Sequence, residues 1–365
     1  MKDTTVLGIG TALPDHVVTR VDVQAWMARA LTGHPEAARF ARRVIDRSGV
    51  ERRRSCVADF TAAGEPRLLG ERSPGTAARM RAFAEHAPTL AALACRRALD
   101  AAGTDADEIA HLVLVTCTGF IAPGPDVELI ELLGLRPEVE RTQVGFMGCC
   151  AAFNGLRVGR QSVTAQPGTK ALVVCVELCS LHFRPDPSPD SVVAHALFGD
   201  GAAAVVLGEG EGIAHLARSA TRVEPGTRAD MGWTIGDDGF RMALSSYVPQ
   251  LVGAELSGFV APLAGHATES WCVHPGGRAI LDHVQDALAL PPAALASSRE
   301  VLRDPGNLSS ATVLFVLERE LARLAGGARG VMLGFGPGLT LEGLAFERGA
   351  RPLLPVDEAV RGVAQ

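Results

Sequence analysis

A cysteine stands in the run Val-Gly-Phe-Met-Gly-Cys149-Cys150-Ala-Ala-Phe-Asn-Gly-Leu, where a helix rich in small apolar residues begins. Far downstream come Trp-Cys-Val-His274-Pro-Gly-Gly and then Gly-Asn307-Leu-Ser-Ser-Ala. A thiol, an imidazole and a carboxamide, each at a glycine-marked turn, are the parts needed for carbon–carbon bond formation on a protein-bound thioester. A thiolate at a helix N-terminus is favoured by the helix dipole and by free backbone N–H groups. An imidazole and an amide N–H suit an oxygen that becomes negative during reaction. Taken singly, each residue also has a structural reading. Cys149 and Cys150 fit as small core thiols, His274 as a satisfied core histidine and Asn307 as the cap of a helix from Leu308. Successive helical residues point about 100° apart, so only one of the two sulfurs can face a cavity.

The elements that must position these groups are legible as alternating patterns. Apolar runs suited to buried strands lie at 6–9, 111–116, 171–176, 202–207, 271–273 and 330–333. Helical patterns lie between them at 76–101, 125–135, 150–164, 279–290 and 308–324. This alternation predicts a layered α/β fold. A strand, a functional turn and a later helix recur in both halves, and Gly-Glu-Gly-Glu-Gly marks a boundary within 208–222. We therefore expect two units, 1–218 with the cysteine and 219–365 with the histidine and asparagine. Residues 56–78 read as a long surface loop, and the tail after Pro352 carries no fold signal.

Bulk properties exclude several classes. Of 365 residues 47% are hydrophobic and 21% charged, with a net charge of −6, which gives no reason to expect nucleic-acid binding. Aromatics are 5%, too few for base-stacking platforms. No apolar run reaches the roughly eighteen residues of a membrane span, so no membrane insertion is expected. The eight cysteines include no Cys-x-x-Cys pair. Buried reduced thiols in a cytoplasmic protein fit better than a metal site or disulfides. Gly8-Ile-Gly10 is followed by Leu13 rather than a third glycine, so it is no dinucleotide fingerprint. Gly334-Phe-Gly-Pro-Gly-Leu-Thr runs into a second apolar segment and reads as a tight turn shaping a cavity wall. Arg39, Arg42, Arg43, Arg47, Arg52, Arg53 and Arg54 cluster in one segment, suited to phosphate groups or to a solvated helix face.

Together these motifs resemble the type III polyketide synthases, the chalcone-synthase-like family. The matching segments are Gly-Cys149-Cys-Ala, Ala-Leu-Phe198-Gly-Asp-Gly-Ala, His274-Pro-Gly-Gly, Gly-Asn307-Leu-Ser-Ser-Ala and Gly-Phe-Gly-Pro-Gly-Leu-Thr, in family order. The resemblance implies a thiolase fold, two similar βαβαβαββ halves in five αβαβα layers, and a homodimer. It selects Cys149 over Cys150 as nucleophile, with His274 and Asn307 as its catalytic partners. It assigns Phe198 as gatekeeper and Cys117, Thr118, Cys179, His182, Met242 and Ser309 as cavity lining. Ala122 matches a loop that reaches into the partner subunit's cavity. Arg43, Arg47, Gly276, Gly277 and Ala279 match coenzyme A-binding positions.

The implied reaction is decarboxylative condensation with malonyl-coenzyme A, with no metal and no cofactor beyond the thioester substrates. The starter would arrive on coenzyme A or on an acyl carrier protein. The run Thr-Cys117-Thr-Gly-Phe-Ile-Ala122-Pro-Gly-Pro-Asp is similar to bacterial members that take fatty acyl starters and make alkylpyrones or alkylresorcinols. Alternatives are a malonyl-only synthase making a tetrahydroxynaphthalene-type product, a non-extending acyltransferase, and a carrier of apolar ligands.

Overall fold

In the computed structural model, residues 4–61, 68–69, 73–245, 248–265 and 268–353 are described. The chain opens with β1 (Thr4–Ala12), β2 (His16–Thr19), α1 (Arg20–Ala30), α2 (Pro35–Arg47), β3 (Arg52–Ser55) and α3 (Thr76–Ala102). It continues through β4 (Ile109–Thr116), α4 (Pro125–Leu133), β5 (Glu140–Gly145), α5 (Ala151–Ala165), β6 (Lys170–Leu178), α6 (Pro189–Leu197) and β7 (Asp200–Gly208). Then come β8 (Ala214–Val223), β9 (Met231–Gly236), β10 (Gly239–Leu244), α7 (Val248–Val260) and β11 (Thr268–Val273). The last elements are α8 (Arg278–Ala287), α9 (Ala296–Arg303), α10 (Thr312–Leu321), β12 (Arg329–Gly336) and β13 (Thr340–Arg348).

Strand order explains the resemblance between halves. The main sheet runs β11-β12-β13-β8-β1-β7-β6-β4-β5. From β1 outward the pairings are antiparallel to β7, antiparallel to β6, then parallel to β4. From β8 outward they repeat: antiparallel to β13, antiparallel to β12, then parallel to β11. The two sets meet where Thr4–Val6 pair with Ala214–Leu216. This is the thiolase-like α/β fold.

The strands read as continuous apolar runs because both faces are covered. Leu112, Leu114, Leu172 and Val174 enter one core, whereas Val113, Val115, Val173 and Cys175 enter the other. Helix α3 packs against β1, β7 and β6 on the first side. On the second side α5 packs against β4 and β6, and α10 lies against β1, β7, β11 and β12. Small residues allow this central layer to sit close. A Cβ at Gly155 would lie 2.6 Å from Val115 Cγ2, and one at Gly159 2.8 Å from Val173 Cγ2. Among the described residues no helix is long and apolar enough to cross a membrane, and no cluster of three metal-binding side chains occurs.

Every strand and helix expected from sequence is present, with two departures at helix starts. The helices expected from Cys150 and Leu308 are preceded by single tight turns, Gly148–Cys150 and Ser309–Ala311. The segment expected as a surface loop begins inside the protein instead: Phe60 is buried and packs edge-on to Trp26 at 5.4 Å. Residues 62–67 and 70–72 of that stretch, and the tail from 354, lie outside the described residues, and its end is the start of α3 at Thr76.

Candidate active site

The turn from β5 into α5 is built to push one sulfur outward. Phe146 and Gly148 both take left-handed backbone conformations, at φ 57° and 74°. A Cβ on Gly148 would lie 2.1 Å from Pro337 Cδ, within the turn that joins β12 to β13. The glycine turn expected to shape a cavity wall does so through Pro337. Cys150 turns into the core, 1% exposed, with its thiol donating to Met147 O at 3.3 Å. Cys149 faces the other way and lines two cavities at once. Its thiol donates to Ser309 Oγ at 3.7 Å.

His274 ends β11 and is anchored by its backbone N–H, which donates to Leu333 O at 2.8 Å. Its ring is 1% exposed, and neither ring nitrogen has a hydrogen-bond partner. Leaving a buried donor or acceptor unpaired costs about 1–3 kcal/mol, so such a ring marks a place where another group is expected. Asn307 serves two ends at once. Its Oδ1 accepts from Ser309 N at 2.9 Å and from Thr312 Oγ1 at 3.3 Å, which starts the turn into α10. Its Nδ2 has only a 3.5 Å contact to Gly276 O and remains available as a donor. Capping and chemistry are thus divided between the two atoms of one amide. Cys149, His274, Asn307 and Phe198 line one outer cavity.

Burial acts on the two reactive groups in a definite direction. It pushes the Cys149 thiol up to about 12, opposed in part by the Ser309 hydrogen bond. It takes the His274 imidazole down to about 3. Desolvation alone therefore favours the uncharged form of each.

Phe198 stands between the two cavities and lines both, as do Met231 and Met242. It follows α6, and its position is locked by backbone. Asn307 N donates to Leu197 O at 3.0 Å, and Gly199 N donates to Asn307 O at 2.9 Å. Buried Arg53 holds the same helix end, with Nη1 donating to His195 O at 2.6 Å and Phe198 O at 2.8 Å. Its Nη2 donates to Ala196 O at 2.8 Å. A cation at a helix C-terminus is stabilising.

The arginine cluster is consequently not one surface. Arg53 is internal, and Arg52 pairs with Asp304 at 2.5 Å. Arg54 bonds Asp15 O, and Arg39 and Arg42 border a separate depression between α1 and α2. Arg43, Arg47, Gly276, Gly277 and Ala279 all line the outer cavity.

The inner cavity is lined by Cys117, Thr118, Cys179, His182, Met242 and Ser309. Ala122 lies elsewhere. It sits exposed before a cis Ala122–Pro123 peptide and lines neither cavity of its own chain. His182 is fully committed: Nε2–H donates to Thr118 O at 2.7 Å, and Nδ1 accepts from Phe240 N at 3.2 Å. It stacks on Phe240 at 4.1 Å, and burial takes it down to about 3, so it is a neutral structural ring.

The model for chalcone and stilbene synthases matches residues 2–211 with its N-terminal domain and 215–348 with its C-terminal domain. The chain belongs to this family, the type III polyketide synthases. The alpha-pyrone synthesis polyketide synthase-like Pks18 of Mycobacterium tuberculosis is 35% identical over 93% of the chain and 90% of its own length. Probable polyketide synthase 1 of Dictyostelium discoideum is 31% identical over 94% of the chain, which spans only 11% of that relative. Among solved structures, PKS-I from the brown alga Ectocarpus siliculosus has a TM-score of 0.89 at 32% identity, covering 95% of this chain and 99% of that one. As a type III polyketide synthase the chain is an acyltransferase-type enzyme.

One residue of this synthase escaped the sequence reading. Glu177, 0% exposed at the end of β6, lies beneath the site. Its Oε1 accepts from Ser310 Oγ at 2.5 Å, and its Oε2 from Thr118 Oγ1 at 2.8 Å and Cys117 N at 3.0 Å. It ties the Ser309–Ser310 turn of one half to β4 of the other, and burial raises its pKa. The available signal was a lone acid closing the apolar run Ala171–Val176. The turn at Gly148 gives a direct test. Gly148→Ala places a methyl group against Pro337 at positive φ, and is expected to destabilise the enzyme by about 1–3 kcal/mol. Thermal melting checks this, and an unchanged melting temperature refutes this account of the turn.

Proposed function

We propose that the enzyme loads an acyl starter on Cys149 and extends it with malonyl-coenzyme A by decarboxylative Claisen condensation. The observation that carries this reading is the position of Cys149 on both cavities, with His274 and Asn307 on the outer one and Phe198 between them. Outside, a pantetheine arm would enter past Arg43, Arg47, Gly276, Gly277 and Ala279, with the arginines meeting coenzyme A phosphates. Inside, the growing chain has an apolar space.

In loading, the Cys149 proton passes to His274, sulfur attacks the thioester carbon of the starter, and the carrier sulfur leaves as a thiolate that takes the proton back from His274. In extension, His274 and Asn307 Nδ2 donate to the malonyl thioester oxygen as carbon dioxide leaves, holding the enolate. The enolate carbon then attacks the Cys149 thioester and expels the thiolate. Phe198 keeps water from the carbanion. No cofactor beyond the thioester substrates is needed. The starter is a fatty acyl group and the product an alkylpyrone or alkylresorcinol. The pyrone named for the mycobacterial relative and the apolar inner lining support that choice.

The enzyme acts as a cytoplasmic homodimer of chains divided into halves 1–218 and 219–365. The repeated strand order supports the division, and exposed Phe120 and Met147 beside the Ala122 loop support the pairing. Mass analysis of products from a panel of acyl-coenzyme A starters with malonyl-coenzyme A tests the reaction. Alkylated pyrones or resorcinols are expected. A naphthalene-type product from malonyl-coenzyme A alone overturns the fatty starter, and acyl transfer without carbon dioxide release overturns extension.

An ion pair between Cys149 and His274 must overcome burial of both, through their mutual attraction and the start of α5. Removing the imidazole leaves the thiol at its burial-raised value, with less thiolate at any given pH. For His274→Ala, iodoacetamide labelling of Cys149 at pH 7 is expected to fall roughly tenfold or more. It should then climb steadily through pH 10, whereas wild type levels off. Matching profiles for the two proteins refute the pairing.

A further inference from the structure

Two buried histidines carry unpaired ring nitrogens among the described residues, and the mechanism above uses only His274. The other is His195, on α6, 3% exposed and lining the inner cavity. Its helix presents Ser191, Ala194, His195 and Phe198 to that cavity, a spacing that makes one continuous face. His195 thus stands about 5 Å along the helix from the gate at Phe198.

Its tautomer is fixed by its surroundings. Arg184 N–H points at Nε2 from 3.3 Å, and Ser191 Oγ lies 3.5 Å away, so Nε2 is the acceptor. The proton therefore sits on Nδ1, and Nδ1 has no partner. Burial takes this imidazole down to about 3, with the Arg184 cation acting in the same direction, so the ring is neutral at working pH. Its ring neighbours, Trp26 at 5.5 Å and Phe183 at 4.5 Å, offer no acceptor atom. The adjacent Arg184 guanidinium is already committed to Asp186 at 2.5 Å and Asp238 at 3.5 Å. One buried N–H donor is left without a partner, on a ring that lines a cavity otherwise walled largely by aromatic rings, methionines and cysteines.

We propose that His195 is a carbonyl-binding residue, whose Nδ1–H donates to a ketone oxygen of the enzyme-bound poly-β-ketone and thereby sets how many units are added before release. This rests on the polyketide reading above. Each condensation turns the previous thioester carbonyl into a ketone, so the lengthening chain carries acceptors into the inner cavity. A chain whose oxygen reaches His195 is held for another round, and one without that anchor is released earlier.

The test compares wild type with His195→Leu, which is apolar and of similar size, and with His195→Gln, which restores an N–H donor. One long-chain acyl-coenzyme A and malonyl-coenzyme A are supplied, and product masses and the rate of Cys149 acylation are both measured. For His195→Leu the ratio of longer to shorter product, taken relative to each variant's own acylation rate, is expected to fall about tenfold, the worth of one hydrogen bond. His195→Gln is expected to recover most of the ratio. If His195→Leu does not fold, His195→Met makes the same comparison. A wild-type ratio in the leucine or methionine variant overturns the proposal. So does a glutamine variant as altered as leucine, since packing alone would then explain both. Acylated wild type that yields no extended product with any starter overturns the polyketide reading itself, and this proposal with it.

Discussion

Cys149→Ala is expected to abolish covalent acylation, and Cys150→Ala to retain it. The two sulfurs are adjacent in sequence but opposite in environment. Cys149 opens on both cavities, while Cys150 is enclosed by the second core, where a Cβ at Gly336 would touch its sulfur at 2.3 Å. Removing Cys150 leaves a small void and should cost about 1–2 kcal/mol, read as a lower urea midpoint with an unchanged slope. Removing Cys149 loses only a long thiol contact to Ser309, so its urea midpoint should stay near wild type. Because His274 and Asn307 are untouched in Cys149→Ala, slow release of carbon dioxide from malonyl-coenzyme A should persist without condensation. Intact-mass measurement after incubation with an acyl-coenzyme A decides the assignment. Acylation lost in Cys150→Ala and kept in Cys149→Ala would reverse it.

The fold was legible because its strands are buried on both faces. Such strands leave uninterrupted apolar runs, and His111–Thr116 or Ala171–Val176 could be placed within a few residues. Helix starts were less legible because side chains govern them. Ser309 adopts φ 49° to enter its turn, supported by Asn307 Oδ1, and nothing in Asn-Leu-Ser-Ser announces that conformation. The cysteine, histidine and asparagine each sit at a glycine-marked turn, which is why local sequence found them. Their convergence, by contrast, depends on contacts between halves more than a hundred residues apart. Arg53 was hidden in plain view, since a run of arginines reads as one basic surface. Only the fold separates a guanidinium that holds the end of α6 from those at the cavity mouth. His195 was missed for a similar reason, because a histidine inside Val-Val-Ala-His-Ala-Leu looks like packing until its nitrogens are counted.

Asn307→Ala is expected to lower decarboxylation of malonyl-coenzyme A by about 10²–10³, the usual effect of removing one oxyanion donor. Acylation of Cys149 by a starter should be less affected, because sulfur attack does not depend on holding an enolate. The substitution also removes an acceptor from Ser309 N and Thr312 Oγ1, at a cost of about 0.5–2 kcal/mol for the lost cap. Those two consequences can be pulled apart. Asn307→Asp keeps an oxygen where Oδ1 accepts and removes the Nδ2 donor, so it should melt closer to wild type than Asn307→Ala. It should decarboxylate no faster, since a carboxylate beside a developing enolate repels it. Thermal melting and carbon dioxide release, measured on both variants, provide the separation. If Asn307→Asp regained most of the decarboxylation rate along with stability, the amide would act only by shaping the turn into α10. Enolate stabilisation would then rest on His274 alone. If rate and stability part company, one side chain performs both tasks, with its oxygen fixing the turn and its nitrogen facing the substrate.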